Sequence, residues 1–298
     1  LKQQTLKGSF SLNGKGLHTG VKLTVRDPKS VRIAEEICAE LTASGFAPLS
    51  LKYDDGGTGG LKGAKSSESG EGCVCMITVG GDGSIISHGK LAAVWGIPLM
   101  GVNTGRLGFM ANLEPGDIKR IPEIITGNFR VSRRMMMSVD VSYANGGKLH
   151  QNCLNDVVVS RDSKSKLPEF CVYCGETEVS RLRADGVIFS TPTGSTAYSL
   201  SAGGPIIDPA LHCIEYTALC PHSLFSRPMI FSAEREVTLR VNSYQDSRVT
   251  INFDGDSGYP FDEGDVLTLH IGSPDLMLIE TGEGFFGSVN RKLMQPLR

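Results

Sequence analysis

A chain of 298 residues, 40% hydrophobic and 21% charged, carries enough apolar material for proper cores and exceeds one typical domain. Its formal net charge of -2 gives no reason to expect nucleic acid or an acidic membrane surface as partner. No apolar run approaches the roughly 18–20 residues of a membrane span, and the first residues lack the charged-then-apolar layout of a secretory signal.

Residues 1–26 alternate loosely through Phe10, Leu12, Val21, Leu23 and Val25, which suits short strands around Gly14 and Gly16. Asp27-Pro28 opens a helix as cap and first-turn proline. Ala34, Ile37, Cys38 and Leu41 then recur at helical spacing until Gly45. Residues 48–53 read as the next strand, whereas 54–72 are glycine, serine and charge and read as a long mobile loop. Cys73 to Val79 is a buried-strand run that ends in Gly80-Gly81-Asp82-Gly83, and residues 84–95 form a helix stopped by Gly96. Residues 97–103 and the turn Thr104 to Gly108 repeat the strand-to-glycine pattern, which favours a parallel sheet with its site at the strand ends. One more helix is predicted over 115–126.

The texture changes at Phe129. Val139 to Tyr143 alternates, Asn145-Gly146 is a hairpin signal, and strands follow at 155–160, 170–174, 188–190, 237–241, 248–253 and 267–271. The expected organisation is an α/β domain with a Rossmann-like parallel sheet over 1–128. A β-sandwich-like all-β domain over 129–275 follows, then a tail over 276–298 that packs back on the first domain. Eight cysteines are present. Cys171 and Cys174 have zinc-like spacing, but no second pair or nearby histidine completes a site, so no metal ligands are assigned. Buried thiols imply a reducing compartment, expected to be the cytoplasm or an organelle entered with a removed transit peptide. Met135-Met136-Met137 reads as core filler, and Arg130, Arg133 and Arg134 read as a charge that attracts phosphates or as a solvated strand edge, the second favoured.

Two stretches carry chemistry. Gly80, Gly81 and Gly83 let backbone N–H groups approach phosphate oxygens, and the following helix start favours an anion. A carboxylate among phosphates, Asp82, makes sense as a magnesium partner or as the base for an attacking hydroxyl; the bland alternative is a helix cap. Thr191 to Pro205 crowds hydroxyls and small residues around Tyr198, a surface suited to a ribose or nucleotide, or else a small-residue turn. Asn155-Asp156 offers a carboxylate to a vicinal diol, or is a structural pair at a strand edge; Asp185-Gly186 is a third acidic turn.

Gly80 to Gly83, Gly101 to Phe109, Asn155-Asp156, Asp185-Gly186, Thr191 to Pro205 and Cys220 to Leu224 fall in the order and at the spacing of the NAD kinase family. The chain resembles that family from about residue 73 to its end. The resemblance implies ATP-dependent phosphorylation of the adenosine-ribose 2′-hydroxyl of NAD, with a divalent metal such as Mg²⁺. It implies Asp82 as base or orienter, and Gly80, Gly81 and Gly83 at phosphates. Asn155 and Asp156 would grip a ribose or the adenine edge. Asp185 would face the nicotinamide, and Thr193, Thr196, Ala197, Tyr198 and Ser201 would line the dinucleotide. It also implies assembly as a homodimer or homotetramer. The chain has Asn155-Asp156 where the family has Asn-Glu, Ser84 for threonine, and Asp256 where glutamine is commoner. His222 is either structural or close to the nicotinamide.

The first 25 residues are instead similar to the opening of the zinc-dependent deacetylase of lipid A biosynthesis, although no His-Lys-x-x-x-Asp motif follows His18. The rival functions are a lipid or sugar kinase sharing the Gly-Gly-Asp-Gly turn, and a non-catalytic dinucleotide sensor.

Overall fold

The computed structural model describes residues 5–7, 20–25, 28–50, 65–66, 69–105, 108–111, 113–162, 165–242, 248–256, 258–282 and 284–294. The expectations for Phe10 to His18, the Asp27 cap and most of the 54–72 loop lie outside these residues. The chain divides into one unit of residues 1–133 with 276–298 and a second of 134–275.

In the first unit the strands and helices are β1 (Thr5–Lys7), β2 (Gly20–Val25), α1 (Pro28–Ala43), β3 (Ala47–Ser50), β4 (Lys65–Ser66), β5 (Cys73–Val79), α2 (Asp82–Trp95), β6 (Leu99–Val102) and α3 (Ile121–Thr126). The sheet runs β4-β3-β2-β5-β6, every pair parallel. From Val74 to Val79 every residue of β5 is buried, as a strand covered on both faces requires. On one face Cys75, Ile77 and Val79 join Ile37, Cys38 and Leu41 of α1 in a single apolar core. On the other, α2 packs against β5 and β6, and Thr78 Oγ1 meets His88 Nδ1 at 3.1 Å.

The chain steps from β2 to β3 in one direction and from β5 to β6 in the other, so the order reverses between β2 and β5. Ligands of open α/β sheets bind outside the carboxyl ends of strands at such a point, and the carboxyl end of β5 carries Gly80. The single helix predicted over 115–126 is instead a 3-10 turn, Pro115–Arg120, followed by α3. Pro122 has no N–H to donate to the preceding turn, and the helical ladder restarts around it.

The chain enters the second unit through β7 (Asn128–Ser142) and continues through β8 (Lys148–Cys153), β9 (Asp156–Arg161), β10 (Glu169–Cys174), β11 (Thr177–Arg183) and β12 (Gly186–Ser190). After α4 (Tyr198–Ser201) come β13 (Cys213–Leu219), β14 (Met229–Ser232), β15 (Val237–Asn242), β16 (Val249–Phe253), β17 (Tyr259–Pro260) and β18 (Val266–Glu280). One antiparallel sheet runs β11-β10-β15-β18, with β7 pairing β18 and β8; the other runs β14-β13-β12-β9-β16-β17. Their inner faces share one core: Phe170, Leu239 and Leu267 from the first sheet, Val159, Phe189, Tyr216 and Ile251 from the second. The rings of Phe189 and Tyr216 lie 5.5 Å apart. This is the expected sandwich.

Asn145 and Gly146 form the predicted hairpin turn, with Gly146 at φ 88° and the Asn145 side-chain oxygen accepting the Gly147 N–H at 2.9 Å. Met135, Met136 and Met137 are buried, as core filler should be, but Arg134 is only 4% exposed and is no part of a solvated edge. It follows directly on Arg133 at the point where side chains alternate between faces. Beyond residue 275 the chain rejoins the first unit: Leu278 of β18 pairs parallel with Leu99 of β6. There follow α5 (Gly284–Val289) and a π-helical turn, Asn290–Met294. No helix among the described residues is long and apolar enough to cross a membrane.

Candidate active site

Two constellations stand out, one in each unit. In the first unit, Gly80 follows β5 and its N–H donates to the Val102 carbonyl at 2.9 Å, tying together the ends of β5 and β6. A Cβ on Gly80 would strike Ser84 Oγ, so the turn closes only around glycine. Gly81 caps α2 in an extended conformation without any side-chain cap bond. Asp82 is therefore the first helical residue and not the cap.

Its carboxylate reaches across to the segment after β6. Oδ2 accepts the Phe109 N–H at 2.6 Å, and Oδ1 accepts those of Met110 and Ala111 at 3.1 and 3.2 Å. A carboxylate has about four acceptor positions, so these three N–H groups fix its orientation and leave room for one further donor. Gly108 is the neighbour that permits this, because a Cβ there would fall on Asp82 Oδ1. Asp82 is half-buried, while Gly83 is exposed in the first turn of α2. Lys292, from the turn after α5, places its Nζ 3.9 Å from the Phe109 ring centre.

In the second unit, Asp156 opens β9 with Asn155 just before it, and both are buried. Asp254 organises them: its carboxylate accepts the N–H groups of Leu154, Asn155 and Asp156 at 3.0, 2.7 and 3.1 Å. Asp254 sits at φ 50° before Gly255, a left-handed turn that aspartate tolerates. Burial pushes the Asp156 carboxyl up to about 7, and the Asp254 charge adds to the rise. Asn155 Oδ1 is buried without a hydrogen-bond partner. Its carbonyl accepts the Thr191 N–H at 2.8 Å, and a Cβ on Gly194 would strike it, so the Thr191 segment is packed directly on Asn155.

The hydroxyl-rich stretch divides by direction. Ser190, Thr191, Ser195 and Ser199 are all fully buried. Ser190 and Ser199 donate to the buried Glu215 carboxylate at 2.8 and 2.6 Å, joined by Thr217 at 2.9 Å. Ser195 Oγ donates to the Pro192 carbonyl at 2.7 Å and accepts the Ile207 N–H at 3.0 Å. Thr193 is also buried, whereas Thr196 and Ala197 are half-buried and Tyr198 and Ser201 are exposed. An inner row of hydroxyls anchors the turn, and an outer row faces solvent.

Asp185 lies elsewhere. Ser190 pairs with Asp156 across β12 and β9, but Asp185 precedes the opposite end of β12, about 17 Å away at strand rise. There its carboxylate pairs with Arg161 at 2.8 Å. His222 donates its N–H to the Arg183 carbonyl at 2.8 Å. All eight cysteines are free thiols, and Cys38, Cys75, Cys153, Cys171 and Cys213 are buried.

Sequence reasoning missed Asp254, Glu215, Gly108 and Lys292. The Asp254-Gly255 pair was a legible turn signal; Glu215, in an apolar run, was legible as a charge that needs partners.

This arrangement matches known proteins along most of its length. "NAD kinase" of Desulforamulus reducens is 36% identical over 238 residues, covering 78% of this chain and 82% of that one. "NAD kinase" of Geobacter sulfurreducens is 37% identical over 250 residues, covering 82% and 86%. The ATP-NAD kinase N-terminal domain model matches residues 23–129 and the C-terminal domain model residues 154–281.

The chain belongs to the NAD kinase family. It is a kinase, as the family resemblance in the sequence implies. Among solved structures, yeast NADH kinase complexed with NADH superposes with a TM-score of 0.80 at 20% identity, covering 94% of this chain and 89% of that one. An NAD kinase from Archaeoglobus fulgidus in complex with ATP superposes at 0.68 and 22% identity, covering 91% and 99%. Both share the α/β and all-β halves that NAD kinases combine. His18 and most of the first 25 residues, which carry the deacetylase resemblance, lie outside the described residues.

Proposed function

We propose that this chain transfers the γ-phosphoryl group of ATP to the 2′-hydroxyl of the adenosine ribose of NAD, giving NADP and ADP. The observation that carries the reading is the Asp82 carboxylate, oriented by three N–H groups at the carboxyl end of β5 and retaining one acceptor position. Phosphoryl transfer asks little covalent chemistry of a protein beyond alignment and charge compensation. A ribose hydroxyl is a poor nucleophile while protonated, and a carboxylate that takes its proton during attack contributes on the order of 10²–10⁴-fold.

In this account the hydroxyl oxygen forms a bond to the γ-phosphorus, and the bond from that phosphorus to the β,γ-bridging oxygen breaks. The electron pair leaves on ADP, and the hydroxyl proton passes to Asp82. Gly80, Gly81 and Gly83 form the phosphate turn in this proposal, and at Gly81 nothing lies within 4 Å of where a Cβ would stand. Among the described residues no three His, Cys, Asp or Glu side chains gather to hold a metal ion. In this proposal magnesium enters bound to the phosphates of ATP, as substrate.

Asn155, Asp156, Thr193, Thr196, Ala197, Tyr198 and Ser201 form the dinucleotide surface of the second unit. The outward Tyr198 ring and Ser201 hydroxyl support that assignment. Asp185 serves the nicotinamide part only from its own, opposite end of β12. Assembly as a homodimer or homotetramer and residence in the cytoplasm belong to the same proposal. Light scattering at working concentration tests the assembly.

The decisive assay is NADP or NADPH formation by the purified protein with ATP, Mg²⁺ and either NAD or NADH. Product with one of them is expected. Dinucleotide binding with no product under any donor would replace the enzyme with a sensor.

A further inference from the structure

We propose that Lys292 is a phosphate-contacting residue of the Asp82 site, its ammonium taking an anionic oxygen of the ATP triphosphate chain. The proposal rests on the kinase reading above and deepens it by assigning the donor's seat. It begins from how the ammonium is held. Lys292 Nζ stands 3.9 Å from the centre of the Phe109 ring, and Phe109 is the residue whose N–H makes the shortest bond to Asp82. The side chain is half-buried, and it forms no ion pair among the described residues.

A π-face attracts a cation through its quadrupole without consuming the ammonium's hydrogen-bond donors. The ammonium thus keeps N–H donors for a further acceptor, beside a carboxylate whose orientation is set by three backbone N–H groups. The local electrostatics agree. Desolvation depresses the Lys292 ammonium, the Asp82 charge opposes that, and the adjacent Arg291 depresses it further.

The segment is also anchored. Ser288 and Val289 are buried just before it, and Ser288 Oγ donates to the Gly284 carbonyl at 3.2 Å. Lys292 is thereby held at the site by the fold. During transfer the ammonium keeps its protons. It donates to a non-bridging oxygen as the bond to the γ-phosphorus forms and the bond to the leaving oxygen breaks, and so offsets charge that would otherwise repel Asp82.

The test uses the full chain with Lys292→Met, which keeps length and removes charge, and Lys292→Arg, which keeps charge. Binding of inorganic tripolyphosphate and of NAD is measured by calorimetry, and steady-state rates are measured with ATP varied. For Lys292→Met we expect tripolyphosphate affinity and kcat/KM for ATP to fall about tenfold or more, while Lys292→Arg stays within a few-fold. NAD affinity and Tm should remain at the parent values in both. Unchanged tripolyphosphate binding in Lys292→Met overturns the proposal, as does a parallel loss of NAD binding and Tm, which marks a structural role. A parent protein that binds tripolyphosphate through Lys292 but forms no NADP would sink the kinase reading while leaving the phosphate seat intact.

Discussion

Phe109 donates its N–H to Asp82 Oδ2 at 2.6 Å, which couples the turn after β6 to the first residue of α2. Met110 and Ala111 add two further bonds to the other oxygen. A single carboxylate is thus both the reacting group of the proposed chemistry and the keystone of the loop beside it. An apolar replacement there would confound catalysis with loop order, so substitutions that act on its position alone are the more informative.

Gly108→Ala is one. The added Cβ would overlap Asp82 Oδ1 and push the carboxylate aside, whereas Gly105→Ala meets nothing within 4 Å. A misplacement of about 1 Å at a reacting group costs on the order of 100-fold in rate. NADP formation should drop by about that factor in the first variant and stay near parent in the second, with both folded by circular dichroism. Equal rates in the two would remove Gly108 from the account.

Asp156 makes stability depend on pH. Its carboxyl is raised to about 7 in the folded chain, chiefly by burial and then by Asp254, against about 3.9 when unfolded. The folded state therefore binds more protons between those values, so the stability from protonated Asp156 is full below about pH 4 and lost as pH rises through 7. Asp156→Asn cannot ionise. Urea denaturation should show the variant gaining on the parent by on the order of a few kcal/mol between pH 5 and pH 8. An identical pH profile in parent and variant would contradict the buried-acid reading.

The inner and outer hydroxyls of the Thr191 segment predict opposite phenotypes. Ser199→Ala removes a donor to the buried Glu215 and should cost roughly 1.5–3 kcal/mol of stability. Ser201→Ala and Tyr198→Ala touch exposed side chains and should leave stability nearly unchanged. Loss of the Tyr198 ring should raise KM for NAD about tenfold, consistent with roughly 1–3 kcal/mol for stacking on a base. Thermal melts beside NAD titrations check both halves.

The fold class was legible because local signals agreed with the global arrangement. Val74 to Val79, apolar but for Thr78, announced a strand covered on both faces; the alternation of Val139 to Tyr143 and the Asn145-Gly146 turn announced an antiparallel half. Strand β11 was missed because its residues are polar and mostly solvent-facing, and β13 because six of its seven residues are buried, leaving no alternation to see. The Asp82 motif was visible as residues, but its geometry was not. The three donors that aim it come from 27 to 29 residues later, and they are backbone N–H groups that no side-chain pattern marks. Asp254 was hidden in the same way, acting through the backbone of residues about 100 positions earlier. Long-range pairing of a side chain with another segment's backbone leaves no periodic trace.

The central claim is that Asp82 takes the proton of the ribose hydroxyl as the phosphoryl group arrives. Asp82→Asn keeps the shape and one acceptor oxygen while removing the base, so its most direct test is single-turnover NADP formation beside calorimetric binding of NAD. The account predicts a rate lowered by on the order of 10²–10⁴-fold with NAD affinity close to the parent. Single-turnover rates within a few-fold of the parent would contradict it.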